Sequence, residues 1–148
     1  MYQRILVAVD GSTTSDRALQ AAIQLAKDQA AALRIIHVID AAPLAWDLDP
    51  MQIQEVQKTL RQVGQKTVER ARTTAQSAGI AAEARLVEID TPGTRISGKI
   101  AEEARNWPAD LLVIGTHGRR GLNHLLLGSV AETTVRVAPV PVLLIRAE

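Results

Sequence analysis

Residues 110 to 129 read Asp110-Leu-Leu-Val-Ile-Gly-Thr-His-Gly-Arg-Arg-Gly-Leu-Asn-His-Leu-Leu-Leu-Gly-Ser129. A short apolar run bounded by a charge and a glycine is the pattern of a strand buried on both faces. The glycines begin where that strand ends. Beyond them, Ser129 and Glu132 have capping-box spacing: a hydroxyl that can accept from a backbone N–H three residues on, and a carboxylate that can reach back. The spacing predicts a helix starting at Ser129. Strand, glycine-punctuated loop and helix N-terminus together bring backbone N–H groups and the positive end of a helix dipole onto an anion. The stretch thus predicts a central strand of an α/β sheet and a loop that holds a phosphate.

Working outward, Ile5-Leu-Val-Ala-Val9 is a second continuous apolar run, closed by Asp10-Gly11-Ser12; it predicts another central strand. From a cap at Ser12 or Thr13, Ala18, Leu19, Ala22, Ile23 and Ala26 recur at helical spacing. Leu33 to Ile39 predicts a strand, and residues 40 to 50, with two prolines and Trp46, a loop. A long helix follows, with the stripe Ile53, Val56, Leu60, Val63, Val68, Ala71, Ala75 and Ala78 and Gly79 as its stop. Residues 82 to 86 alternate in polarity, as an edge strand would. Ile96, Ile100 and Ala104 mark a short helix ended by Pro108. The helix from Ser129 ends before Pro139, and Val140-Pro-Val-Leu-Leu-Ile145 is a last strand whose Pro141 marks it as an edge.

Strands alternating with helices predict a single α/β domain over residues 1–148: a three-layer sandwich around a five-stranded, mostly parallel sheet with right-handed crossovers. With the first and fourth strands adjacent at the centre, the order is 3-2-1-4-5. The winding reverses between them, and ligands in such sheets bind beyond the strands' carboxyl ends at that switch point. Asp10 and Gly115 should face one crevice.

Composition removes several alternatives. Lys and Arg number 17 against 16 Asp and Glu, so no global field gathers nucleic acid or coats an anionic membrane. With 2% aromatics, base-stacking platforms are missing. There is no cysteine, hence no disulfide framework and no thiolate metal site. No apolar run is long enough to span a bilayer, and the opening residues carry no signal-peptide pattern. The expectation is a soluble, cytoplasmic protein without nucleic-acid or membrane partners.

Gly115, Gly118 and Gly128-Ser129 are spaced Gly, two residues, Gly, nine residues, Gly-Ser. Small residues there let a phosphate approach the backbone. The pattern is not a Walker A loop, which requires a lysine and hydroxyl after its last glycine, nor a dinucleotide fingerprint, which follows the first strand. Asp10, at a strand end, can serve as a metal ligand or accept N–H groups of its own turn. His37 lies among apolar neighbours and reads as packed. His117 either donates to a phosphate oxygen or points into water. Arg119 and Arg120 either clamp a polyphosphate or face solvent, and His124 reads as solvated.

These segments together resemble the universal stress protein family: Ile-Leu-Val-Ala-Val-Asp-Gly-Ser at the start, Ile-Ile-His-Val, Asp-Leu-Leu-Val-Ile-Gly-Thr-His-Gly-Arg-Arg-Gly, Leu-Leu-Leu-Gly-Ser-Val-Ala-Glu, and the terminal Pro-Val-Pro-Val-Leu-Leu-Ile. The glycine motif is that of the family's ATP-binding branch. The resemblance implies a Rossmann-like fold, with Asp10 near the ribose or a divalent ion, backbone at Val38 by the adenine, and Ile114 to Gly118 with Gly128, Ser129 and Val130 around the phosphates. It implies ATP with Mg or Mn as ligand in a stress-response module.

Fast phosphoryl transfer requires a metal clamp, a base and a charge-neutralising finger, and only Asp10 and an arginine can be named. Binding with slow or no turnover is therefore the first reading. A slow ATPase or nucleotide-transferring enzyme at the same site and a dimeric adaptor without nucleotide are the alternatives. The last strand, with Val140, Pro141, Val142, Leu143 and Leu144, is an apolar edge of the kind that pairs with another chain. It predicts a homodimer; the resemblance points the same way, and an unknown protein partner would read the nucleotide state.

Overall fold

The computed structural model describes residues 1–42, 48–117 and 127–147. Its strands are β1 (Arg4–Ala8), β2 (Ala32–Asp40), β3 (Glu83–Ile89), β4 (Leu111–Gly115) and β5 (Val142–Ile145). They form one sheet in the order β3-β2-β1-β4-β5, with every pairing parallel. β1 and β4 are central because their side chains are apolar on both faces: Ile5, Leu6, Val7, Leu112 and Val113 are fully buried. The register sets Val7 opposite both Ile35 of β2 and Val113 of β4.

Four helices cover the sheet: α1 (Thr13–Gln29), α2 (Pro50–Ser77), α3 (Ile96–Asn106) and α4 (Ser129–Val137). Alternate strand residues feed two cores. Ile5, Val7, Val9 and Ile35 pack with Leu19, Ile23 and Val68 under α1 and α2. Leu6, Ile36, Val38 and Ile114 pack with Ile100, Ala104 and Ala131 under α3 and α4. Putting helices on both faces is what makes the strands read as unbroken apolar runs.

Several local expectations hold. Ser12 caps α1, and its hydroxyl accepts from the Ser15 N–H. Gly79 follows α2 at φ +85°, a conformation glycine adopts without strain. Two expectations change. The α2 stripe is buried only from Gly64 onward, at Gly64, Thr67, Val68, Ala71 and Ala75; Val63 is exposed. A Cβ on Gly64 would lie 2.7 Å from Leu86 Cδ1, so α2 meets the sheet closely there. The second change concerns α4. Its cap is Gly128, not Ser129, and no side chain caps it. Ser129 is already helical, so its capping-box spacing to Glu132 is not used.

Candidate nucleotide site

The β1–α1 turn is closed by its own side chains. The Ser12 N–H donates to Asp10 Oδ1 (2.9 Å), the Asp10 N–H to Ser15 Oγ (2.9 Å), and the Ser15 N–H to Ser12 Oγ (3.1 Å). Asp10 therefore does hold its own turn, as aspartate commonly does. That bond uses one carboxylate oxygen and fixes the group at the mouth of the switch point. Gly11, at φ +83°, supplies the turn's left-handed residue.

Across the switch point, β4 runs out at Gly115. A Cβ there would lie 2.8 Å from Thr14 Cγ2. The missing side chain thus lets α1 settle against β4, a packing reason for a glycine that the sequence suggests only as a phosphate contact. Thr116, which sequence reasoning missed, pins three elements. Its N–H donates to the Ile145 carbonyl of β5 (2.9 Å), and its own carbonyl accepts from the Gly128 N–H (2.8 Å). The end of β4 and the start of α4 are thereby held together. Thr116 Oγ1 also pairs with His117 Nδ1 (3.0 Å). Gly118, Arg119, Arg120 and His124, like Trp46, lie outside the described residues.

At α4 the Glu132 N–H makes the first intrahelical bond, to the Gly128 carbonyl (2.9 Å). The N–H groups of Ser129, Val130 and Ala131 have no acceptor within the helix, and the glycine cap supplies none. Ser129 and Val130 are exposed. Three donors at the positive end of a helix dipole suit an oxyanion.

The third wall is β2. The last bond joining β1 to β2 runs from the Val9 N–H to the Ile36 carbonyl (2.8 Å). Backbone groups alternate sides along a strand, so Val38 also turns its N–H and C=O toward β1. Among the described residues neither finds a backbone partner there. The Val9 carbonyl, the expected acceptor for Val38, instead takes His37 Nδ1 at 2.7 Å. A carbonyl only accepts, so the imidazole carries its proton on Nδ1. Val38 is buried, with 8% exposure, and buried backbone groups almost always have partners.

Among the described residues no three carboxylates or imidazoles are grouped to hold a metal by themselves. Asp10 alone suits Mg, which typically takes one or two carboxylates and completes its shell with water and substrate phosphates. A surface hollow between α1 and α2 is lined by Gln20, Arg70, Thr73 and Thr74, and Arg70 Nη2 donates from there to the Gly11 carbonyl (3.5 Å). No helix among the described residues is long and apolar enough to cross a membrane.

The two sheet edges differ. β3 is dressed with ion pairs, Arg34–Glu83 (2.6 Å), Arg61–Glu88 (2.6 Å) and Arg85–Glu103 (3.3 Å). On β5, Val142, Leu143 and Leu144 remain half-buried although their inner atoms join the two cores. Val140 is half-buried and Pro141 exposed just before the strand; Val130, Val135 and Val137 of α4 are exposed as well.

The family model described as the universal stress protein family matches residues 1–146. A universal stress protein of Methanocaldococcus jannaschii is 31% identical, with 99% of this chain and 83% of that one aligned. One of Bacillus subtilis is also 31% identical, over 99% and 100%. In solved structures, a protein of this family from Burkholderia pseudomallei superposes with TM-score 0.77 at 34% identity, covering 98% of this chain and 96% of its own. A universal stress protein solved in complex with cAMP superposes with TM-score 0.73 at 27% identity, over 99% of each chain. Matched nearly end to end in sequence and fold, the chain belongs to the universal stress protein family.

Proposed function

We propose that this chain is a nucleotide-responsive regulatory module that binds ATP, with Mg or Mn, in the crevice between β1 and β4. One observation carries the reading: at the carboxyl edge of the sheet, among the described residues, backbone donors are left over at α4 and at Val38, while the neighbouring turn is closed. The α4 N-terminus suits phosphates. Val38 offers an N–H beside a C=O, which matches an adenine edge: N1 accepts and the N6 amino group donates. Guanine presents the reverse order and would set donor against donor. A relative of 27% identity solved with cAMP supports an adenine ligand. Asp10 would bind the ribose or a metal that enters with the phosphates; the metal would neutralise phosphate charge. Ile114, Gly115, His117, Gly118 and Arg119 belong to the phosphate side of this reading.

Nucleotide would act by shifting a conformational population that a protein partner reads. Val140 to Leu144, on the uncharged edge, would join two copies into a homodimer. The cytoplasm suits a protein that reads ATP. Two measurements test the proposal. Protein purified without added nucleotide is denatured and its released small molecules identified, and stripped protein is titrated with ATP and with GTP. Release of adenine nucleotide, or ATP binding at least about tenfold tighter than GTP, supports the reading. No release and no ATP binding overturns it. Light scattering at micromolar concentration checks the dimer, and a monomer would remove it.

A further inference from the structure

We propose that His37 opens the base-recognising side of the crevice: by taking the Val9 carbonyl, its imidazole stops β1 and β2 from pairing one residue further and leaves the Val38 backbone facing the crevice. The inference deepens the nucleotide reading and rests on it for the identity of the ligand. Its structural part stands alone.

The register sets Ala8 opposite Ile36, so His37 lies across from Val9. His37 shares its face with Ile35, under α1 and α2, and has 9% exposure. From there the imidazole turns into the sheet plane, and Nδ1 reaches the Val9 oxygen at 2.7 Å. In an uninterrupted parallel ladder that oxygen would accept the Val38 N–H, and no such bond forms. A buried carbonyl left without a donor is costly, so an apolar residue at position 37 would drive the missing ladder bond to form. The sequence places a polar ring in an otherwise apolar strand, and this bond gives it a purpose beyond packing.

Three variants test the inference. His37→Leu removes the donor. His37→Asn keeps an N–H donor at the δ position, whereas His37→Gln carries its amide one bond further out. Two readouts apply: hydrogen exchange of the Val38 amide by NMR, which requires no ligand, and affinity for ATP against inorganic tripolyphosphate. In His37→Leu and His37→Gln, Val38 exchange should slow by about tenfold and ATP affinity fall by about tenfold. Tripolyphosphate affinity should stay within about twofold. His37→Asn should behave as wild type in both. A purely structural histidine would lower ATP and tripolyphosphate binding together and would not be rescued by Asn alone. Unchanged Val38 exchange and unchanged ATP affinity in His37→Gln overturn the inference, and that variant decides the matter if His37→Leu does not fold. If wild type binds no ATP, the nucleotide reading fails, and Val38 exchange still decides whether His37 holds the strands apart.

Discussion

Helices α1 and α4 start at the same edge of the sheet, one after β1 and the other after β4, and their first turns are finished in opposite ways. At α1, Ser12 and Asp10 use their side chains to take N–H groups of the turn. At α4 the cap is a glycine, and the first three N–H groups are left without an acceptor from it. Chain economy does not account for the difference, because a side-chain cap at Gly128 would add stability. Gly128 has φ −64° and ψ 157°, angles that any serine or aspartate adopts. The glycine is thus not demanded by its backbone conformation. One turn is closed by its own side chains, and in the nucleotide reading proposed above the other keeps its donors for phosphates.

The sharpest way to break the contrast is to finish α4 like α1. In Gly128→Asp, a tethered carboxylate competes for the same N–H groups and repels a polyphosphate. ATP affinity should fall by about 100-fold, roughly 2.7 kcal/mol, while thermal stability rises by a few tenths of a kcal/mol. Isothermal titration and a melting curve read both. A loss below about threefold would place the phosphates somewhere other than α4.

How much of this contrast is visible in the sequence depends on which residues carry it. Ser12 is legible because its cap is local: the hydroxyl and the N–H it takes lie three residues apart. The α4 cap misleads for the same reason. Ser129 and Glu132 have the right spacing, but the Thr116 carbonyl takes the Gly128 N–H and fixes where the helix begins. That contact spans the whole intervening loop, and no local pattern reports it. Central strands are legible because Ile5 to Val7 and Leu111 to Val113 are buried from both sides. The α2 stripe is over-read since periodicity gives a face, not how far the sheet extends beneath it. His37 reads as packed, which is true; its bond to Val9 depends on strand register, which periodicity does not supply.

A second substitution separates the two roles of Asp10. Asp10→Asn keeps the oxygen that accepts the Ser12 N–H and removes the charge. The turn should survive, with stability changed by less than about 0.5 kcal/mol. If the carboxylate binds a metal brought by the nucleotide, the gain in ATP affinity on adding Mg over EDTA should shrink by about tenfold. Coincident Mg dependence in wild type and variant would leave Asp10 a turn residue alone.

The smallest effect comes from the reverse exchange, opening α1. Ser12→Ala removes the oxygen that accepts the Ser15 N–H and should cost about 1 kcal/mol of stability. It creates an uncapped helix start beside the crevice, yet ATP affinity should change by less than about twofold, because three further contacts keep the turn in place. Asp10 still holds the Ser12 N–H, Ser15 Oγ still holds the Asp10 N–H, and Thr14 remains packed against Gly115. With that result, an uncapped terminus is not by itself a phosphate site. α4 differs in being tied through Thr116 to the end of β4, which sets its first turn beside the switch point. A variant whose ATP affinity rose would show that α1 can compete for the phosphates, and that the contrast between the two termini is a matter of capping alone.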